Sequence, residues 1–126
     1  MKFKTLMIIK ATVCLVLGVT ILISPEFVYS IFGATLSVAG AFVAREYGAS
    51  LIGNMMLTWF ARSSQASETR NAIILGMFSY NTIGWVITLI AILTGVLSAV
   101  AWLAFVIYLF FSAGFGYFLF QKQKVS

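Results

Sequence analysis

Four long stretches of almost continuous apolar residues, separated by short polar or glycine-containing breaks, organise the chain. A run of about 20 apolar residues is the length of helix that crosses the hydrocarbon core, where every backbone polar group must be satisfied within the segment. The stretches at residues 6–24, 39–61, 71–93 and 98–120 therefore predict four spans. The expected fold class is all-α, a polytopic membrane protein whose residues 1–126 form a single four-transmembrane-helix bundle.

The first stretch, LMIIKATVCLVLGVTILIS, exceeds the 7–15 residue apolar core of a cleaved signal peptide. No small-x-small cleavage motif precedes Pro25, so it is expected to remain as a span. Residues 25–38 carry Pro25, Gly33, Phe27, Tyr29, Ile31 and Phe32, and predict an external loop containing a short interfacial helix. The polar segment ARSSQASETR at residues 61–70 turns the chain back inside, and TGVLS at 94–98 makes a tight external turn.

Composition agrees: the chain is 62% hydrophobic and 9% charged, and its 126 residues leave no room for a separate soluble domain. The net charge of +5 would suggest nucleic acid in a soluble protein, but here the basic residues gather near span ends and no nucleic-acid partner is expected. With the N-terminus inside, Lys2, Lys4, Lys10, Arg62, Arg70, Lys122 and Lys124 lie on or near the cytoplasmic side, and Arg45 alone lies toward the other. By the positive-inside bias both termini are expected in the cytoplasm. Trp59 and Trp102 occupy positions suited to interfacial aromatics.

Candidate chemistry is sparse. With no His and only Cys14, the usual zinc, haem and Cys/His sites lack ligands, so no cofactor or metal is expected. The acids Glu26, Glu46 and Glu68 are scattered, and no nucleophile–base pair suggests an enzyme. Small residues that favour close helix contact are Ala49 and Gly53 in the second span, Gly84, Thr88 and Ala91 beside Asn81 in the third, and Ser98, Ala101, Ser112 and Gly116 in the fourth.

The informative residues are polar groups inside the spans. Arg45 and Glu46 fall about 9–10 Å below the outer end of the second span, where charge is costly and needs a partner or water. Glu46 begins a stripe with Ser50 and Gly53, flanked by Tyr47 and Asn54, that is expected to face the bundle interior. Arg45 points toward Ala49, Ile52 and Met56, within reach of Glu26 or a lipid headgroup. One reading has Arg45 snorkel to the interface while Glu46 fixes helix register. The other makes Arg45, Glu46 and Tyr47 the lining of an outward-opening ligand pocket, floored by Asn54 and Asn81 and walled by Trp85 and Tyr108. Asn54 and Asn81 are expected to hydrogen-bond each other, and Lys10 to snorkel to the cytoplasmic surface.

The segment Ala44-Arg45-Glu46-Tyr47-Gly48-Ala49, with Trp59-Phe60-Ala61-Arg62 at the end of the same helix and Pro25 and Phe32-Gly33 before it, resembles small four-helix bacterial membrane proteins of loosely DoxX-like layout. That resemblance implies four spans and the bacterial inner membrane, and supplies no activity. Small multidrug resistance transporters are similar in size, but their functional carboxylate lies in the first span, where this chain has Lys10 and no acid. The leading expectation is a non-enzymatic protein that binds a membrane lipid, a small amphiphile or a partner protein around Arg45 and Glu46. The alternatives are a proton-coupled transporter working as a homo-oligomer through Glu46, and an accessory subunit of a larger membrane complex.

Overall fold

A computed structural model describes residues 1–121; Lys122 and Lys124 lie outside the described residues. Its elements are α1 (Phe3–Ile23), α2 (Pro25–Ile31), α3 (Val38–Phe60), α4 (Glu68–Leu93) and, after a 3-10 turn at Ala99–Ala101, α5 (Trp102–Phe120). The described residues are all-helical apart from their connections. Among the described residues three helical segments are long and apolar enough to cross a membrane: Phe3–Ile23, Glu68–Leu93 and Ala99–Phe120. The second expected span, α3, is 23 residues long, but Arg45, Glu46, Ser50 and Asn54 dilute its apolar run and it is not among those three.

Local chemistry sets the helix ends. Pro25 opens α2, where its missing N–H costs nothing, so the short helix expected in this connection forms there. The Ser37 hydroxyl accepts from the Gly40 N–H at 2.9 Å and caps α3, and Ser67 does the same for Arg70 at 3.1 Å in α4. That cap, with Glu68 in the first turn, starts α4 three residues earlier than the apolar run alone suggests.

Two antiparallel hairpins make the bundle, α1 with α3 and α4 with α5. Gly18 and Gly48 bring the first pair together: a Cβ on Gly48 would sit 3.0 Å from the Gly18 carbonyl, and one on Gly18 3.1 Å from the Gly48 carbonyl. The sequence pointed instead to Ala49 and Gly53. Gly53 has nothing within 4 Å, because Ala44, Gly48 and Leu51 form the face that α3 buries. In the second hairpin two residues of the expected α5 stripe do contact α4, but outside the stripe expected there: Ser112 hydrogen-bonds Thr82 at 2.7 Å, and Gly116 accommodates the Phe78 ring.

The hairpins are joined tightly only at one end. There Phe3, Leu6 and Met7 of α1 pack with Ile74 and Met77 of α4 and Phe111, Phe115 and Phe118 of α5. The Arg70 guanidinium covers the Phe3 ring at 3.9 Å and Arg62 covers Trp59 at 4.0 Å, so this is also the basic end. At the opposite end α2 and the α4–α5 turn close over the bundle, with the Ser98 N–H donating to the Phe32 carbonyl at 2.8 Å. Gly33, at φ 78°, turns the chain beneath Ser98, whose Cβ would be 2.8 Å from any Cβ placed there.

Candidate functional site

Away from the basic end the hairpins part and enclose a cavity of about 210 Å3. Its walls are largely aliphatic, from Val13, Leu17 and Ile21 of α1, Leu51 of α3, and Ala104 and Ile107 of α5. Val28, Tyr29 and Phe32 roof it from α2, together with Leu97. Leu103, 62% exposed, also lines it, so the chamber reaches the outside of the bundle beside α5.

Lys10 forms the floor. It lies in the stripe that α1 turns inward, with Met7, Ala11, Cys14, Gly18 and Ile21, and is 3% exposed. Its Nζ donates to Asn81 Oδ1 at 3.0 Å, 5.0 Å from the Tyr80 ring centroid and 4.7 Å from that of Phe111. Both rings are within cation–π range. Cys14, one turn above, adjoins the amine. An ammonium has three donors, and Asn81 takes one of them. The chain's three acids, Glu26, Glu46 and Glu68, are all exposed, and none is at hand to neutralise Lys10.

Higher in the chamber Tyr47 of α3 and Tyr108 of α5 share a short hydroxyl–hydroxyl hydrogen bond. The buried Tyr80 hydroxyl lies close to both and to Ser50, yet meets hydrogen-bond geometry with none of them. Tyr29, in the roof, is held above its ordinary pKa by burial and then by the neighbouring Tyr108 hydroxyl, so it stays a neutral donor. Three polar links thus cross between the hairpins: Lys10–Asn81 at the floor, Tyr47–Tyr108 at the waist, and Ser98–Phe32 at the roof.

Of the residues singled out by sequence, Tyr47, Asn81 and Tyr108 line this chamber and Arg45, Glu46, Asn54 and Trp85 do not. Arg45 and Glu46 are exposed on the outside of α3. The Gly18–Gly48 contact fixes how α3 is rotated and leaves both charges on the far side. The Arg45 Nε approaches the Leu22 carbonyl at 3.4 Å rather than Glu26. Asn54 does not meet Asn81: its Nδ2 donates to the Ser50 carbonyl of its own helix at 2.8 Å, and Asn81 Nδ2 donates to the Met77 carbonyl at 2.7 Å. Trp85 packs edge-on against Phe105, with ring centroids 5.9 Å apart.

Lys10 does not snorkel, and it is the residue that sequence reasoning undervalued. Its i, i+4, i+8 register with Cys14 and Gly18 is the one sequence signal for the buried face, and it is weak because the rest of α1 is apolar nearly all round.

Gly84 gives a separate handle on the waist. A Cβ there would lie 2.5 Å from the Tyr108 ring, so Gly84→Ala is expected to displace that ring and break its bond to Tyr47. The core at the basic end is untouched, so the variant should fold with the chamber wall reshaped and the Tyr47–Tyr108 hydrogen bond lost, a cost of about 1 kcal/mol in stability. Thermal unfolding and the tyrosine ring signals in NMR of the detergent-solubilised variant check this, and unchanged Tyr47 and Tyr108 signals would show that the ring is not displaced.

No protein-family model, curated protein or solved structure matches the chain.

Proposed function

We propose that the chain is a four-span membrane protein, with its basic end in the cytoplasm, that binds an acidic amphiphile in the chamber between its two hairpins. The observation that carries this reading is the buried amine of Lys10 at the floor of an apolar cavity, with donors to spare and no carboxylate beside it. A ligand with a carboxylate head would neutralise the amine and accept its hydrogen bonds, and an apolar body would fill the aliphatic walls. The cavity of about 210 Å3 has room for a carboxyl group and the first carbons of a chain whose remainder leaves past Leu103. Asn81, Tyr47 and Tyr108 are then ligand-contacting residues.

Several features support α3 as the fourth span. Its 23 residues reach about 34 Å, and Phe42, Val43, Met56, Leu57 and Phe60 present an exposed apolar surface like those of α1, α4 and α5. The gathering of Lys2, Lys4, Arg62 and Arg70 at one end favours placing that end in the cytoplasm. The DoxX-like resemblance, which implies the bacterial inner membrane, agrees with this layout. Binding is favoured over proton-coupled transport through Glu46 because that carboxylate lies outside the chamber, and because Phe111, Phe115, Met7 and Met77 fill the bundle below Lys10.

Comparing decanoic acid with methyl decanoate tests the proposal. The two share an apolar body and differ in the charged head. A charge-assisted hydrogen bond of about 1.5–3 kcal/mol predicts binding of the acid about ten- to a hundredfold tighter. Native mass spectrometry or calorimetry in mild detergent reads the ratio. Equal affinities would overturn the assignment of Lys10 as the head-group partner.

A further inference from the structure

Arg45, exposed at the edge of α3 beside α1, and Glu46, exposed on its outward face, form no ion pair with each other about 10 Å below the helix's outer end. On a helix that spans the membrane this position meets lipid, where unpaired charges are costly. Arg45 has a single weak bond, to the Leu22 carbonyl. Ala49 and Gly53 are exposed on the same face, and nothing lies within 4 Å of the position a Cβ on Gly53 would take.

We infer that this face of α3 binds the same face of a second copy of the chain. The argument is charge complementarity under two-fold symmetry. At about 100° per residue, Ala49 and Gly53 lie about 40° apart around the helix, and the line midway between them runs between Arg45 and Glu46. Two copies inserted in the same direction and related by an axis along the membrane normal meet on that line. Equal depths then face each other, so Arg45 of each copy lies opposite the partner's Glu46. The interface is isologous, so the Arg45–Glu46 pair forms twice and all four charges are paired. The small side chains at Ala49 and Gly53 allow the two backbones the close approach on which helix association in lipid depends. Phe42 and Phe60, toward the two ends of the same face, extend the contact.

The inference rests on α3 being a span, and the experiment separates the two. In a Cys14→Ser background, Ala49→Cys and Gly53→Cys are oxidised in native membranes, with Ile83→Cys on the exposed face of α4 as a control. The α3 cysteines are expected to form disulfide-linked dimers and the Ile83 variant to remain monomeric. Adding Arg45→Glu to Ala49→Cys sets like charges against each other and is expected to lower the cross-linked fraction about tenfold or more, as breaking an interfacial charge pair does. The double exchange Arg45→Glu with Glu46→Arg restores the pairing and should restore the cross-link. Absence of α3 cross-links, equal cross-linking at Ile83, or no recovery in the exchanged variant each overturns the dimer. A membrane-impermeant maleimide makes the distinction: rapid labelling of Gly53→Cys sinks the four-span reading, whereas an unlabelled and uncross-linked Gly53→Cys sinks the dimer alone.

Discussion

Lys10→Met is expected to lower the affinity for decanoate about ten- to a hundredfold or more, to the level of the methyl ester, while leaving the bundle at least as stable as before. Opposing terms set the stability side, and the cation–π contacts of the amine with the Tyr80 and Phe111 rings are lost with it. Without the amine, Asn81 Oδ1 loses the donor it holds at 3.0 Å, a penalty of about 1–3 kcal/mol for a buried acceptor. Removing a charge from the middle of a span returns about 2.5–3.5 kcal/mol on insertion scales. Met has nearly the length of Lys and fits between the Tyr80 and Phe111 rings, where its sulfur makes favourable aromatic contacts. The sum is close to zero or slightly stabilising. Thermal unfolding in detergent and ligand titration on the same preparation separate the two effects. A variant that melts early and binds decanoate normally would make Lys10 a structural residue and remove the basis of the proposed site.

The largest effect on stability is expected at Gly48. Gly48→Leu drives a side chain into the Gly18 carbonyl at 3.0 Å, with Leu22 and Ile21 at 3.1 and 3.2 Å closing the other directions. Backbone cannot swing aside as a side-chain tip does, so α1 and α3 must separate along their length. Overpacking of a core typically costs about 1–3 kcal/mol, and here the loss extends to the hairpin contact that rotates α3 and positions Tyr47. The variant should lose its monodisperse peak in size-exclusion chromatography or unfold at much lower temperature. Gly76→Leu, at a helical glycine with nothing within 4 Å, is the matched control and should behave as wild type. Equal tolerance at both positions would show that the Gly18–Gly48 approach does not hold the hairpin together.

Much of the architecture is legible without coordinates because it follows from length and apolarity. The helices fall within a few residues of the apolar runs, Pro25 opens the short helix α2, and Ser112 and Gly116 contact α4 as their small size suggests. The site was only partly legible. Tyr47, Asn81 and Tyr108 stand out as polar groups inside apolar runs, and they do line the chamber. Arg45 and Glu46 stand out for the same reason and lie on the opposite side of their helix. The difference is rotational: adjacent residues point about 100° apart, and the polar residues of α3, Arg45, Glu46, Tyr47, Ser50 and Asn54, spread around the helix and leave no periodic signal that distinguishes the bundle interior from lipid.

What this sequence determined alone is the set of helices, their boundaries to within a few residues, and the uneven placement of basic residues, since apolar length, capping and charge are local properties. Tertiary structure decided which residues face one another. The close approach of Gly18 and Gly48 turned α3 so that Tyr47 looks inward and Arg45 and Glu46 look outward. The parting of the hairpins above Phe111 and Phe115 left a hollow rather than a packed core, and put Lys10, by its sequence an ordinary snorkelling lysine, at the floor of that hollow. Contacts between distant segments fix helix rotation, and no single segment contains that information.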